Sequence, residues 1–199
     1  MDECGCPVTG YKGIYRRRNL DDYTLQLVAA TGVYPGQTAS SMHRLDNFLL
    51  DEGELSELKK IRANGDKINL VLALNKGYVH TIDRSMSAYR KVTTSGDSWS
   101  AKTHNMNMNG VYFAAELDIK RYFDKFYPNT RYPNCYFIAR NAVSAFIKMV
   151  IRPNEENVAV FRKIACELGG FIPLTAFIVK MLIVGLPYSL RYRNYIKGR

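Results

Sequence analysis

The sequence predicts an α/β protein, with strands and helices mixed over residues 1–110 and helices alone over 111–199. Three observations carry that expectation. Short β-branched and aromatic runs alternate with helix-patterned runs up to about residue 110. From Val111 onward only helical spacing is found. The net charge of +10 divides at nearly the same place: 14 Lys/Arg stand against 14 Asp/Glu up to Ile119, and 14 against 4 from Lys120.

The elements follow in chain order. Cys6 to Tyr15 is β-branched and aromatic and reads as a strand interrupted at its glycines. Asn19 or Asp21 is placed to cap a short segment from Tyr23 to Ala30, whose apolar residues suit a helix or a strand. Tyr34-Pro35-Gly36 is a turn, and Thr38 to Arg44 reads as a strand lining a pocket. Leu49 to Ile61 has helical spacing, with acids at its start and Lys59, Lys60 and Arg62 at its end, matching the helix dipole. Asn64-Gly65-Asp66 then punctuates, with Asp66 as an N-cap or first-turn residue. Lys67 to Asn75 is a short apolar helix that Gly77 is expected to stop in the left-handed conformation.

Tyr78 to Ile82 and Met86 to Arg90 read as extended. Val92 to Asn109 is polar and nearly free of aliphatics, the composition of a lid or binding loop. Four helices are then expected: Val111–Tyr127, Cys135–Ile151, Glu155–Leu168 and Ile172–Leu190. Pro128, Pro133, Pro153, Pro173 and Pro187 punctuate them.

Composition excludes several classes. A chain with 47% hydrophobic residues has the apolar content of a folded core rather than of a disordered segment. Gly 14 and Pro 7 are too few for collagen-like or mucin-like sequences. A charge excess confined to the last eighty residues argues against a uniformly basic nucleic-acid domain, and no recognised nucleic-acid motif occurs. Cys4 and Cys6 form a C-x-C without a second pair nearby, so the four cysteines, with Cys135 and Cys166, read as reduced, mostly buried thiols. Met1 is followed by Asp2 and Glu3 with no apolar run, so a cytoplasmic location without a signal peptide is expected.

One group of motifs goes further. Gly65-Asp66 opens a leucine-rich helix ending in Lys76-Gly77. Tyr78-Val-His-Thr-Ile-Asp83 follows, then Met86-Ser-Ala-Tyr-Arg90, then Ser98-Trp-Ser100. In order, spacing and residue type this stretch resembles the second half of the catalytic domain of family-2 glycosyltransferases, the inverting enzymes of GT-A fold. Ser40-Ser41-Met42-His43-Arg44 is similar to the family's small-residue strand, and Met1 to Tyr15 to the piece that follows its metal-binding strand. The resemblance covers roughly Met1 to Thr103. It implies a partial GT-A (Rossmann-like) mixed sheet with flanking helices, followed by the helical region.

The resemblance also implies chemistry. Asp66 takes the place of the catalytic base, where a carboxylate beside the acceptor hydroxyl removes its proton as the oxygen attacks the anomeric carbon. A helix cap is the plainer role for the same residue. Ser40 and Ser41 fall in the pocket-lining strand. Tyr89 and Arg90 head the loop that folds over donor and acceptor, with Arg90 placed to contact a leaving-group phosphate or simply to lie on the surface. Trp99 is either a platform for a sugar ring or the anchor of its loop.

Two features depart from the family pattern. Val92 stands where the family often carries a metal-side histidine, and His80 and His104 do not fit that place. The Asp-x-Asp pair that holds Mg²⁺ or Mn²⁺ against the nucleotide diphosphate is absent, Asp21-Asp22 being adjacent rather than alternating. By the family's order, that motif belongs to a donor-binding half upstream of Met1. The metal, the nucleotide-sugar donor and the saccharide acceptor are therefore expected of the complete enzyme. This chain alone is expected to hold no metal and to be a fragment or truncated form.

The most apolar window is Leu168 to Leu190, interrupted by Lys180 and followed by the basic, tyrosine-bearing Arg191 to Arg199. Its uninterrupted span is shorter than the roughly 20 residues of a membrane helix, and with its basic end it has the composition of an interfacial helix on an anionic surface. The plainer alternative is a core helix with a solvated basic end. Two functions thus compete on the sequence: the acceptor-side half of an inverting sugar transferase in surface-polysaccharide synthesis, or a non-catalytic membrane-surface or adaptor module keeping the scaffold.

Overall fold

A computed structural model of the chain describes residues 24–31, 46, 49–63, 65–77, 106–130 and 132–197. Seven helices and no strand lie among these described residues. They are α1 (Leu25–Thr31), α2 (Glu52–Leu58), α3 (Gly65–Lys76), α4 (Asn109–Phe126), α5 (Cys135–Ile151), α6 (Glu155–Glu167) and α7 (Phe171–Lys197).

The expected α/β class, a partial GT-A sheet with flanking helices, is corrected by this architecture: the described residues are all-helical. The physical reason lies in what the early helices pack against. Leu25, Leu27 and Val28 of α1 and Ile68, Val71 and Leu72 of α3 share one core with Ile119, Tyr122 and Phe123 of α4. The apolar faces expected to cover a sheet cover a helix. That core draws on both sides of residue 110. The runs read as strands, 6–15, 38–44, 78–82 and 86–90, lie outside the described residues, as does most of the loop 92–109.

Local chemistry sets the helix ends. The ambiguous segment at 23–30 is helical, and its cap is Thr24 rather than Asn19 or Asp21: Leu27 N–H donates to Thr24 Oγ1 at 3.1 Å. Asp51 caps α2 by accepting from Glu54 N–H at 2.7 Å, and Asn154 caps α6 by accepting from Asn157 N–H at 2.8 Å. Each satisfies one of the donors a helix start leaves open. Gly77 does not take the left-handed conformation expected of it. Among the described residues the positive-φ glycines are Gly169 (φ 82°) and Gly170 (φ 123°). There the chain forms a Schellman closure, Gly170 N–H donating to Ala165 O at 2.9 Å and Gly169 N–H to Cys166 O at 3.1 Å. The closure ends α6 and turns the chain by 80° into α7.

Pro187 does not end the last helix, which runs on to Lys197. A proline here removes one N–H and frees the carbonyl four residues earlier. Pro187 is on the exposed side, where water can satisfy that carbonyl. Pro173 is in the first turn, where its missing N–H costs nothing.

A second core joins Phe113 and Leu117 of α4, Ile138, Ala142 and Ala145 of α5, Phe161 and Ile164 of α6, and Leu174 of α7. Phe113 and Phe123 are wholly buried, and truncating such a side chain to alanine costs about 3–5 kcal/mol. Small residues let α5 and α7 approach closely. A Cβ added at Gly185 would lie 2.4 Å from the Tyr136 amide nitrogen. Of the two cysteines described, Cys135 is buried and Cys166 exposed, so the latter departs from the expected burial.

Candidate functional site

Asp66 occupies the first turn of α3 and is exposed. The residue after it turns inward. Lys67 keeps only 14% of its side chain exposed, and its Nζ pairs with the Glu116 carboxylate of α4, itself 9% exposed. Asn134, wholly buried, donates from Nδ2 to Glu116 Oε2 at 2.9 Å and to the Glu116 carbonyl at 2.8 Å. Burial pushes the Lys67 ammonium down to about 7, and the Glu116 carboxylate opposes that shift by favouring the charged form. The first turn of α3 is thereby tied to α4 through a buried charge.

Four residues before Asp66, Arg62 makes a second tie. Its Nε donates to Asp118 Oδ2 at 2.7 Å and its Nη2 to Asp118 Oδ1 at 2.8 Å, a bidentate contact. The Arg62 backbone N–H adds a third bond to Asp118 Oδ2 at 3.1 Å. Nη1 also donates to Glu167 of α6, and Nη2 reaches Glu167 Oε2 at 3.3 Å. Its hydrogen bonds to Asp118 and then to Glu167 raise the Arg62 guanidinium further above its already high value. Burial works to raise the Asp118 carboxyl, but the Arg62 hydrogen bonds and charge together outweigh it and hold Asp118 below the usual range. The Arg62 hydrogen bond does the same for Glu167. Asp66 is thus exposed, with the Arg62 anchor four residues before it and the Lys67 anchor one residue after.

A further buried carboxylate serves packing. Glu54 of α2 accepts from the hydroxyls of Tyr122 and Tyr127, each at 2.5 Å. Burial, then the Glu54 hydrogen bond, pushes Tyr127 up to about 12 and Tyr122 higher still. The group binds α2 to the end of α4 and has no outward carboxylate to offer a ligand.

Two clefts open among the described residues. One of about 350 Å³ is lined by Lys120, Asp124, Tyr132, Cys135 and Gly185. The other, of about 340 Å³, is lined by Asn107, Ile147, Lys148, Arg152 and Asn157. Neither is lined by Asp66. Of the candidate site residues named in the sequence, Asp66 alone is described. Ser40, Ser41, Tyr89, Arg90 and Trp99 lie outside the described residues, so no constellation around Asp66 is defined. No group of three His, Cys, Asp or Glu side chains that could hold a metal occurs among the described residues.

Sequence reasoning missed both anchors. Glu116 carried a readable signal: it lies three residues after Phe113 and three before Ile119, on the apolar face of its helix. An acid there must find a buried partner. Arg62 carried none, because a basic residue after a helix is already explained by the dipole. Comparison with known proteins returns no matching family model, no matching curated protein and no matching solved structure.

Proposed function

We propose that this chain is the acceptor-side part of an inverting sugar transferase, with Asp66 as the base. The observation that carries the reading is the placing of Asp66 within its motif. The residue that the glycosyltransferase resemblance marks as base is exposed, in the first turn of α3, between the Arg62 and Lys67 anchors. A base must be reachable by the acceptor and held by its support. The exposure of Asp66 and the flanking Arg62 and Lys67 contacts support the reading.

In the proposed reaction the acceptor hydroxyl oxygen forms a bond to the anomeric carbon of a nucleotide sugar. Its proton passes to an Asp66 carboxylate oxygen. The bond from the anomeric carbon to the nucleotide diphosphate breaks on the opposite face, and the diphosphate leaves with the electron pair, which inverts the centre. Ser40, Ser41, Tyr89, Arg90 and Trp99 are the proposed substrate contacts. The acceptor is a hydroxyl on a saccharide or lipid-linked saccharide, as in surface-polysaccharide synthesis.

The test is a transfer assay with the chain joined downstream of a donor-binding segment carrying an Asp-x-Asp pair, with Asp66→Asn beside it. The competing reading, a non-catalytic module, gives no transfer in either form. Loss of transfer in Asp66→Asn with an unchanged far-UV spectrum supports the base. Full transfer in the Asn form removes it.

A further inference from the structure

α7 has two apolar faces, and among the described residues one is covered. Leu174, Met181 and Gly185 are buried, with Phe177, Ile178 and Leu182 packed beside them against α5 and α6. On the opposite side Ile172, Ala176, Val179, Ile183, Leu186 and Leu190 are all exposed. Their spacing of four, three, four, three and four residues draws one stripe along the helix. Ile172 is 85% exposed and Ile183 69%. The stripe extends over about 27 Å of helix at 1.5 Å per residue.

Two properties decide what covers it. The first is width. Pro173, Val184 and Pro187 are exposed on the stripe's flank, so the apolar arc is broader than the two-position seam of a paired coiled coil. The second is charge. Lys180 and Arg191, eleven residues and about three turns apart, share that flank. From Leu168 to Arg199 there are five basic residues and no acidic one. A second copy of α7 would set like charges together with no carboxylate to pair them. An anionic bilayer surface satisfies both properties, since it takes a broad apolar face at the acyl boundary and basic residues at its headgroups.

We infer that α7 docks lengthwise on an anionic lipid surface through the Ile172–Leu190 stripe, with Lys180 and Arg191 at the headgroups. Among the described residues no single helix is long and apolar enough to cross a membrane, and the inference concerns a helix lying in the interface. It stands on α7 alone, independent of the role given to Asp66.

The test is co-sedimentation of the 199-residue chain with vesicles of phosphatidylcholine, with and without phosphatidylserine. Binding to the phosphatidylserine vesicles is expected at low salt. It weakens at least tenfold as salt rises from about 0.1 M to about 1 M, where the screening length shrinks to about 3 Å. Val179→Gln/Ile183→Gln removes apolar area without changing charge and is expected to weaken binding at least tenfold. Lys180→Gln/Arg191→Gln is expected to weaken binding to the anionic vesicles by about fivefold per residue. All four positions are exposed, and circular dichroism checks that each variant keeps its helices. Three results would each overturn the inference: no binding to anionic vesicles at low salt, binding unchanged by Val179→Gln/Ile183→Gln, or a solution dimer that this variant dissolves. The last would assign the stripe to a second copy.

Discussion

Replacing Gly185 by alanine tests how α7 is seated on α5, and the outcome turns on which of two opposed effects is larger. A Cβ at 185 would stand 2.4 Å from Tyr136 N and 3.0 Å from both Cys135 C and Tyr136 Cα. These are backbone atoms in the first turn of α5, so no side chain can rotate aside. Ordinary contact begins near 3.4 Å, so the helices must part by about 1 Å, a gap that forfeits a quarter to a half of each dispersion contact it opens. The contacts at stake are those of Cys135, Ala139 and Met181, with Phe177, Ile178 and Leu182 around them. Overpacking of this kind costs about 1–3 kcal/mol, and an unyielding backbone puts it at the upper end. Alanine returns about 1 kcal/mol of helix propensity.

The net expectation is a loss of about 2 kcal/mol, which lowers Tm by about 4–8 °C in a chain of this size. Urea and thermal unfolding followed by circular dichroism measure it. Gly110→Ala is the internal control. Its Cβ would meet a side chain, Val160 Cγ1 at 3.2 Å, which can shift, and a change within about 1 kcal/mol is expected. A Gly185→Ala protein as stable as the parent, or more so, would refute the close approach and with it the face of α7 said to point outward.

Two other perturbations address the anchors around Asp66. Glu116→Gln keeps the shape and the bond to Asn134 but removes the carboxylate facing Lys67. It is expected to cost about 3 kcal/mol below about pH 6, where the ammonium is charged. Lys67 is held to about 7 by burial against an ordinary 10.5, so the unfolded chain binds the extra proton between those values. Above about 7 the folded Lys67 is neutral in parent and variant alike, so the cost is largest below pH 7 and falls away as pH rises through 7, and a difference in urea unfolding unchanged from about pH 5.5 to about pH 8.5 would contradict the buried ammonium. Arg62→Met is expected to cost about 2 kcal/mol at neutral pH, after discounting for the guanidinium's partial exposure. Asp118 and Glu167 are held low in the fold, so their contribution is present above the ordinary carboxylate range and lost as pH falls through the folded values. Parent and variant should thus converge in acid unfolding below about pH 4.

The helical half was legible because its signals are local. α5 spans Cys135–Ile151 as expected, since Pro133 and Pro153 bracket an unbroken apolar period. α7 runs past the expected end at Leu190 to Lys197, because the basic, tyrosine-bearing run that follows carries no helix-stop residue before Gly198, and Pro187 lies inside it facing solvent. The fold class of the early half is corrected for a different reason. The apolar faces of α1 and α3 look the same whether they cover a sheet or another helix, and only the long-range partner, α4, decides. The same holds at the site. The place of Asp66 in a helix's first turn was legible from the Asn64-Gly65-Asp66 punctuation. The anchors Arg62 and Lys67 depend on Asp118, Glu167 and Glu116, at least 49 residues away in sequence.

The most direct measurement is the transfer rate from a nucleotide sugar, with the chain joined to a donor-binding segment, for the parent and for Asp66→Asn. A general base contributes about 10²–10⁴-fold. The account predicts a fall of at least about a hundredfold with folding and donor binding intact, and an inverted anomeric centre in the parent's product. Transfer at the parental rate in the Asn form, or a retained anomeric centre, would contradict it.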